Sequence, residues 1–235
     1  TLREIEPIGP PPAQPEPRPL ELVIVIDRSG SMSGTPMAQA RNAAVAAVHA
    51  LRLDARVGVV AFSGQVDRSI APQPMSEATQ VINFIRSIDA DGGTNIAAAV
   101  QGANHIMSHD DRYIHHVVLI SDGESEPQSA IAAATALAGR GVSISTITIG
   151  SYSSLLAEIA RIGRGRYHVT SSAAGLSSLV VSEAMARQPP AQRQTTFVAR
   201  ETTHLAMLDG VDFSGAPALT GHALATTKPG ATQVL

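Results

Sequence analysis

The sequence contains no cysteine and no tryptophan. Without cysteine there are no disulfides, no thiolate zinc sites, no iron–sulfur clusters and no cysteine nucleophile. An oxidising compartment permits disulfides without requiring them, so this absence leaves the compartment open. Aromatic residues are scarce, with 4 Phe and 3 Tyr, while hydrophobic residues make up 44% of the 235 positions. A core has to be filled by Val, Ile, Leu and Ala. Charge is sparse and nearly balanced: 17 Lys and Arg against 20 Asp and Glu give a net of −3, with a pI near 6.2. A nucleic-acid binder needs a basic face, so no nucleic-acid partner is expected. The longest apolar runs are strand-sized, well under the roughly 20 residues of a membrane span, and no charged-then-apolar leader opens the chain. No direct membrane insertion is expected of this portion, and Thr1 in place of an initiator Met reads as a processed or excised piece.

Proline is concentrated at the start, where Pro7, Pro10, Pro11, Pro12, Pro15, Pro17 and Pro19 fall within residues 1–19. Such density blocks helices and central strands and favours an extended, semi-rigid linker. From Glu21 the pattern changes. Leu22–Ile26 is a continuous apolar run ending in Asp27, as expected of a parallel strand buried on both faces. Further strands are expected at Arg56–Phe62, Val66–Ala71 (an edge), His116–Ile120, Ser143–Ile149 and Arg166–Thr170. Helices are expected from Thr35 (N-cap, with Pro36 following) to about Leu53, from Ser76 (N-cap) through Ile88, and from Asn95 to Met107. Others should run from Pro127 to Arg140 with Gly141 as C-cap, from Ser153 to Ile162, and from Leu176 to Arg187.

Strand and helix thus alternate through Gln188, which predicts an α/β fold: a doubly wound, mostly parallel, Rossmann-like sheet flanked by helices. Pro189-Pro190 interrupts the pattern. Residues 189–235 read as a short β-rich extension with strands at His222–Thr227 and Ala231–Leu235. Forty-odd residues of that kind seldom form a core alone, so the extension is expected to be the start of a truncated further domain. The expected division is therefore a linker at 1–19, the α/β domain at 20–188 and the extension at 189–235.

Three loops leave carboxyl ends of strands: Asp27-Arg28-Ser29-Gly30-Ser31, Gly92-Gly93-Thr94 and Ser121-Asp122-Gly123. In a sheet of order 3-2-1-4-5-6, strands 1 and 4 flank the topological switch point where ligands bind, which sets Asp27 beside Asp122. The residue types suit a hard divalent cation. Asp27 and Asp122 supply charge, Ser29, Ser31 and Thr94 supply hydroxyl oxygens, and Mg²⁺ demands six oxygens. Mn²⁺ or Ca²⁺ are alternatives. No His or Cys lies in these loops, so Zn²⁺ and Cu²⁺ match poorly. Two carboxylates neutralise the ion and leave room for a third from a protein partner offering Asp or Glu, which is recognition chemistry. A hydrolase needs a base placed to activate water, and these loops offer none.

The pattern resembles the von Willebrand factor type A domain with its metal-ion-dependent adhesion site, whose motif is D-x-S-x-S, then Thr, then Asp. Asp27, Ser29, Ser31, Thr94 and Asp122 match it without substitution, and the resemblance covers about residues 20–188. It implies that Asp27 and Asp122 often act through water while Ser29, Ser31 and Thr94 coordinate directly. The tail, with Leu219-Thr220-Gly221 and Thr226-Thr227-Lys228-Pro229-Gly230, resembles the segment that follows this domain in bacterial membrane proteins that also carry a glutamine amidotransferase-like domain. That resemblance implies a membrane-anchored whole protein of which this is the soluble portion. Amidotransferase activity itself fails for this chain, which lacks the cysteine nucleophile.

Two other readings stand beside recognition. One is a domain that a divalent cation merely stabilises. The other is a metal-dependent phosphoesterase using Asp27 as nucleophile or base, although a dehalogenase-like site wants a second Asp where Ser29 stands. Gly123-Glu124-Ser125-Glu126-Pro127 fails the G-x-S-x-G nucleophile pattern at its last position, leaving Glu124 and Glu126 as candidate partner contacts. His49, His115 and His116 read as surface or satisfied core residues. Arg161, Arg164 and Arg166 read as a solvated turn, with an acidic-partner patch as the alternative. Met32 and Met37 are either rim contacts or packing. There is no G-x-x-x-x-G-K-[ST] phosphate loop.

Overall fold

The computed structural model describes residues 18–123, 125–188, 192–193 and 222–223. The chain divides into two units, Thr1–Gln188 and Pro189–Leu235. In the first, six strands form one sheet: β1 (Leu20–Asp27), β2 (Arg56–Phe62), β3 (Val66–Pro74), β4 (Ile114–Ser121), β5 (Ser143–Ile149) and β6 (Arg164–Thr170). Their order is β3-β2-β1-β4-β5-β6, parallel throughout except for the antiparallel edge strand β3. The helices are α1 (Thr35–Ala50), α2 (Ala78–Arg86), α3 (Ile96–Ile106), α4 (Pro127–Gly139), α5 (Ser154–Ile162) and α6 (Ala173–Ala186).

Both faces of the sheet are covered, which is why its central strands read as unbroken apolar runs rather than alternating ones. Side chains of a strand alternate between faces. Leu20, Leu22, Ile24 and Ile26 of β1 therefore join the core under α1, α2 and α6. Val23 and Val25 join the other, under α3, α4 and α5. The scarcity of aromatics is met by alanine: Ala40, Ala43, Ala44 and Ala47 line the buried side of α1. Met32 and Met37 are buried in the same core and are packing residues, not rim contacts.

Several boundaries differ from the sequence expectation. Thr35 is not the N-cap of α1; Gly34 is, at φ 77 and ψ −125, a left-handed conformation open to glycine and costly for threonine. Ser76 caps nothing: it lies in a 3₁₀ turn, Met75–Glu77, that precedes α2. α1 stops at Ala50 because Leu51 turns extended. β3 continues to Pro74 through two register shifts against β2. β6 starts two residues early, at Arg164, and α6 starts at Ala173 under a Ser172 cap, three residues before Leu176. Gly141 follows α4 at φ 81, the left-handed residue expected there. In the second unit, β7 (Gln192–Arg193) pairs antiparallel with β8 (His222–Ala223). The expected linker up to residue 17, the rest of the His222–Thr227 strand and the Ala231–Leu235 strand lie outside the described residues.

Candidate metal centre

Asp27 is the last residue of β1, and β4 runs alongside with Ile26 facing Ile120. Asp27 consequently stands opposite Ser121, and Asp122 follows at the mouth of the next loop. Asp27 is fully buried. Its Oδ1 accepts the Ser29 backbone N–H at 2.8 Å, and its Oδ2 accepts the Ser121 hydroxyl at 2.5 Å. The first bond is the local Asx turn that bends the chain after the strand. It carries Ser29 and Ser31 back over the carboxylate, with their hydroxyls 3.1 Å apart. Ser31 Oγ donates to Asp122 Oδ1 at 2.9 Å. Asp27 and Ser29 form a buried floor, Asp122 and Thr94 are half-buried walls, and Ser31 is an exposed rim.

Thr94 is delivered by the loop before α3. Gly30 N–H donates to Gly92 O at 2.9 Å, Asp91 N–H donates to Arg28 O at 2.5 Å, and Asn95 N–H donates to Ser63 O at 2.8 Å. Gly92 holds φ 87, and a Cβ there would stand 2.8 Å from Ser63 Oγ, so both conformation and close approach require glycine. A Cβ on Gly123 would lie 3.1 Å from Thr94 Oγ1, which sets the Thr94 hydroxyl against the residue after Asp122. All five residues singled out in the sequence are thus drawn together at one end of the sheet.

Burial pushes the Asp27 carboxyl above its ordinary range; hydrogen bonds from Ser121 and Ser29 offset this in part, and the Asp122 charge adds to the rise. A buried carboxylate whose ionisation is disfavoured by burial, beside a second carboxylate and ringed by neutral hydroxyl oxygens, forms a donor set that a hard cation would satisfy. Among the described residues, no three His, Cys, Asp or Glu side chains gather as a metal site. The donors here number two carboxylates, completed by alcohols.

Ser121 escaped the sequence reading of the site, although a polar residue closing an apolar strand beside Asp27 was the available signal. Ser125 Oγ accepts the Ile96 N–H at 3.1 Å, a structural role at the start of α3. Glu126 is the N-cap of α4, accepting the Gln128 and Ser129 N–H groups at 2.8 Å, rather than a free partner contact. Glu124 lies outside the described residues. The expected arginine turn is also engaged: Arg161 pairs with Glu158, and Arg166 Nε reaches Glu183 Oε1 at 2.7 Å. His49 is exposed. His116 is buried, its Nδ1 2.7 Å from Ser143 Oγ and its Nε2 without a hydrogen-bond partner.

Residues 22–124 match the family model of the von Willebrand factor type A domain. An uncharacterized protein of Synechocystis sp. is 31% identical over 109 residues, which is 46% of this chain and 26% of that protein. The chain thus spans about a quarter of that relative's length. A von Willebrand factor type A structure from Catenulispora acidiphila superposes with a TM-score of 0.67 at 23% identity, covering 76% of this chain and 44% of the other. Proximal thread matrix protein 1 of the mussel byssus, solved with a zinc-occupied MIDAS motif, superposes with a TM-score of 0.62 at 19% identity over 72% of this chain and 46% of its own. The doubly wound sheet and the family-model match agree on the class. Residues 22–124 belong to a von Willebrand factor type A domain.

Proposed function

We propose that the crest holds Mg²⁺ through Asp27, Ser29, Ser31, Thr94 and Asp122, and that the domain is a protein-recognition module whose partner supplies an Asp or Glu carboxylate. The ion, when bound, offers Lewis acidity and an outward coordination position. The observation that carries the reading is the hydrogen-bonded chain from Asp27 through Ser29 and Ser31 to Asp122, which assembles hard oxygen donors from two loops far apart in sequence. The zinc-occupied site of the mussel protein supports a divalent cation at this place in the fold. Its identity as Mg²⁺ rests on the all-oxygen donors.

Recognition is favoured over hydrolysis because Asp27, the residue a phosphoesterase would use, is buried with both oxygens already engaged. We read residues 20–188 as the domain, 1–19 as its linker and 189–235 as an extension. The tail's resemblance to bacterial membrane proteins supports reading the module as the soluble portion of a membrane-anchored protein. Among the described residues no helix is long and apolar enough to cross a membrane.

The test is peptide display panned on the chain in MgCl₂ and eluted with EDTA. Enrichment of peptides that need one Asp or Glu, lost on its replacement by Asn or Gln, is the expected result. Peptides that hold on through EDTA, or need no carboxylate, would contradict it.

A further inference from the structure

Along the loop that leaves β1, alternate residues do different things. Asp27, Ser29 and Ser31 turn to the cluster, while Arg28 and Gly30 between them face the second loop. Arg28 is gripped on every side: its N–H donates to Phe62 O at 2.8 Å and its carbonyl accepts the Asp91 N–H at 2.5 Å. Its guanidinium spans two further elements. Nε donates to Asp89 O at 2.7 Å, on the connector that becomes Gly92-Gly93-Thr94, and Nη1 pairs with Asp67 Oδ2 of β3 at 3.1 Å. The same Asp67 oxygen accepts the Ser63 hydroxyl at 2.6 Å, and Ser63 O holds the Asn95 N–H. The Arg28 and Asp67 side chains are only 18% and 20% exposed.

Taking the metal reading as given, we propose that Arg28 is the positioning residue of the centre. It sets the Asp27–Ser31 loop against the loop carrying Thr94 and thereby sets the affinity for the cation. Mg²⁺ tolerates little departure from octahedral geometry, and outer partners that orient ligands typically govern metal affinity by 10–100-fold. A planar guanidinium with separated donors can serve Asp89 O and Asp67 together; a lysine ammonium serves as a single point charge.

Two other arginines grip the same connector without touching the site loop, and they provide the control. Arg41 of α1 donates to Arg86 O and Ile88 O at 3.3 and 3.1 Å, and Arg68 of β3 donates to Ser87 O at 3.0 Å. If the connector needed only to be held, losing Arg41 would cost as much as losing Arg28.

Charge alone makes the opposite prediction for one variant. Removing a cation near a cation site tightens metal binding, and removing an anion weakens it. Positioning requires that Arg28→Ala and Asp67→Ala both weaken it, with the double variant no worse than either single because the two act as a unit. The experiment is isothermal titration of the whole chain with MgCl₂, with thermal unfolding of each metal-free variant as the check on folding. Expected are affinity losses of about tenfold for Arg28→Ala and Asp67→Ala, a smaller loss for Arg28→Lys, and wild-type affinity for Arg41→Ala. Wild-type or tighter binding by Arg28→Ala, or an equal loss in Arg41→Ala, overturns the proposal while leaving the metal reading standing. A wild-type chain that takes up no Mg²⁺ overturns both.

Discussion

Ser121 and Asp27 face each other across the seam between β4 and β1, and the hydroxyl of one donates to the carboxylate of the other at 2.5 Å. Both are fully buried. A buried acceptor that loses its partner bears the desolvation cost alone, roughly 1–3 kcal/mol. Ser121→Ala is therefore expected to lower the metal-free unfolding free energy by about that amount, measured by urea denaturation. A neutral result would mean that water replaces the hydroxyl.

At Gly92 both the backbone conformation and the close approach of Ser63 call for glycine. Gly92→Ala would place a methyl 2.8 Å from Ser63 Oγ at φ 87. The cost is expected to be on the order of 1–3 kcal/mol. Mg²⁺ affinity should fall with it, since Thr94 lies two residues on. Titration of the purified variant checks this, and Gly93→Ala, with open space at its Cβ, is the matched control.

Acid should unfold the domain in two stages. Burial pushes His116 below its ordinary 6.5, with Glu183 opposing, so the unfolded chain takes up this proton more readily and stability starts to fall below pH 6.5. Burial alone would raise Glu183, but His116, Ser145, His168 and the charge of Arg166 outweigh it and hold its carboxyl well below the ordinary 4.5. Its contribution is present above pH 4.5 and is lost as pH falls below that value. Glu183→Gln should flatten the lower stage and cost about 1–3 kcal/mol at pH 7, because the Ser145 hydroxyl and the His168 ring lose a charged acceptor. Denaturation midpoints between pH 3 and 8 measure both effects.

Glu183 also shows where reading the sequence stops. The strand order and the five crest residues were legible because each rests on a local pattern: apolar runs for buried strands, and Asp, Ser and Thr where strands end. Glu183 is the one charged residue of α6, and its partners Ser145 and His168 sit on β5 and β6, 38 and 15 residues away in sequence. No spacing announces that meeting. The misplaced caps have a related cause. Thr35 and Ser76 are good cap residues, but Gly34 takes the cap position at φ 77 and Ser76 falls inside the 3₁₀ turn that follows β3, backbone conformations that residue type alone does not fix. Met32 and Met37 could not be assigned to rim or core until the turn of the site loop was known.

The most direct measurement is thermal unfolding with increasing MgCl₂ for the wild-type chain and for Asp122→Ala, a half-buried change that spares the core. At free metal a hundred times its dissociation constant, the wild type should gain about 2.7 kcal/mol, and Asp122→Ala should gain far less. No response in the wild type, or an equal response in both, would contradict a metal centre at this crest.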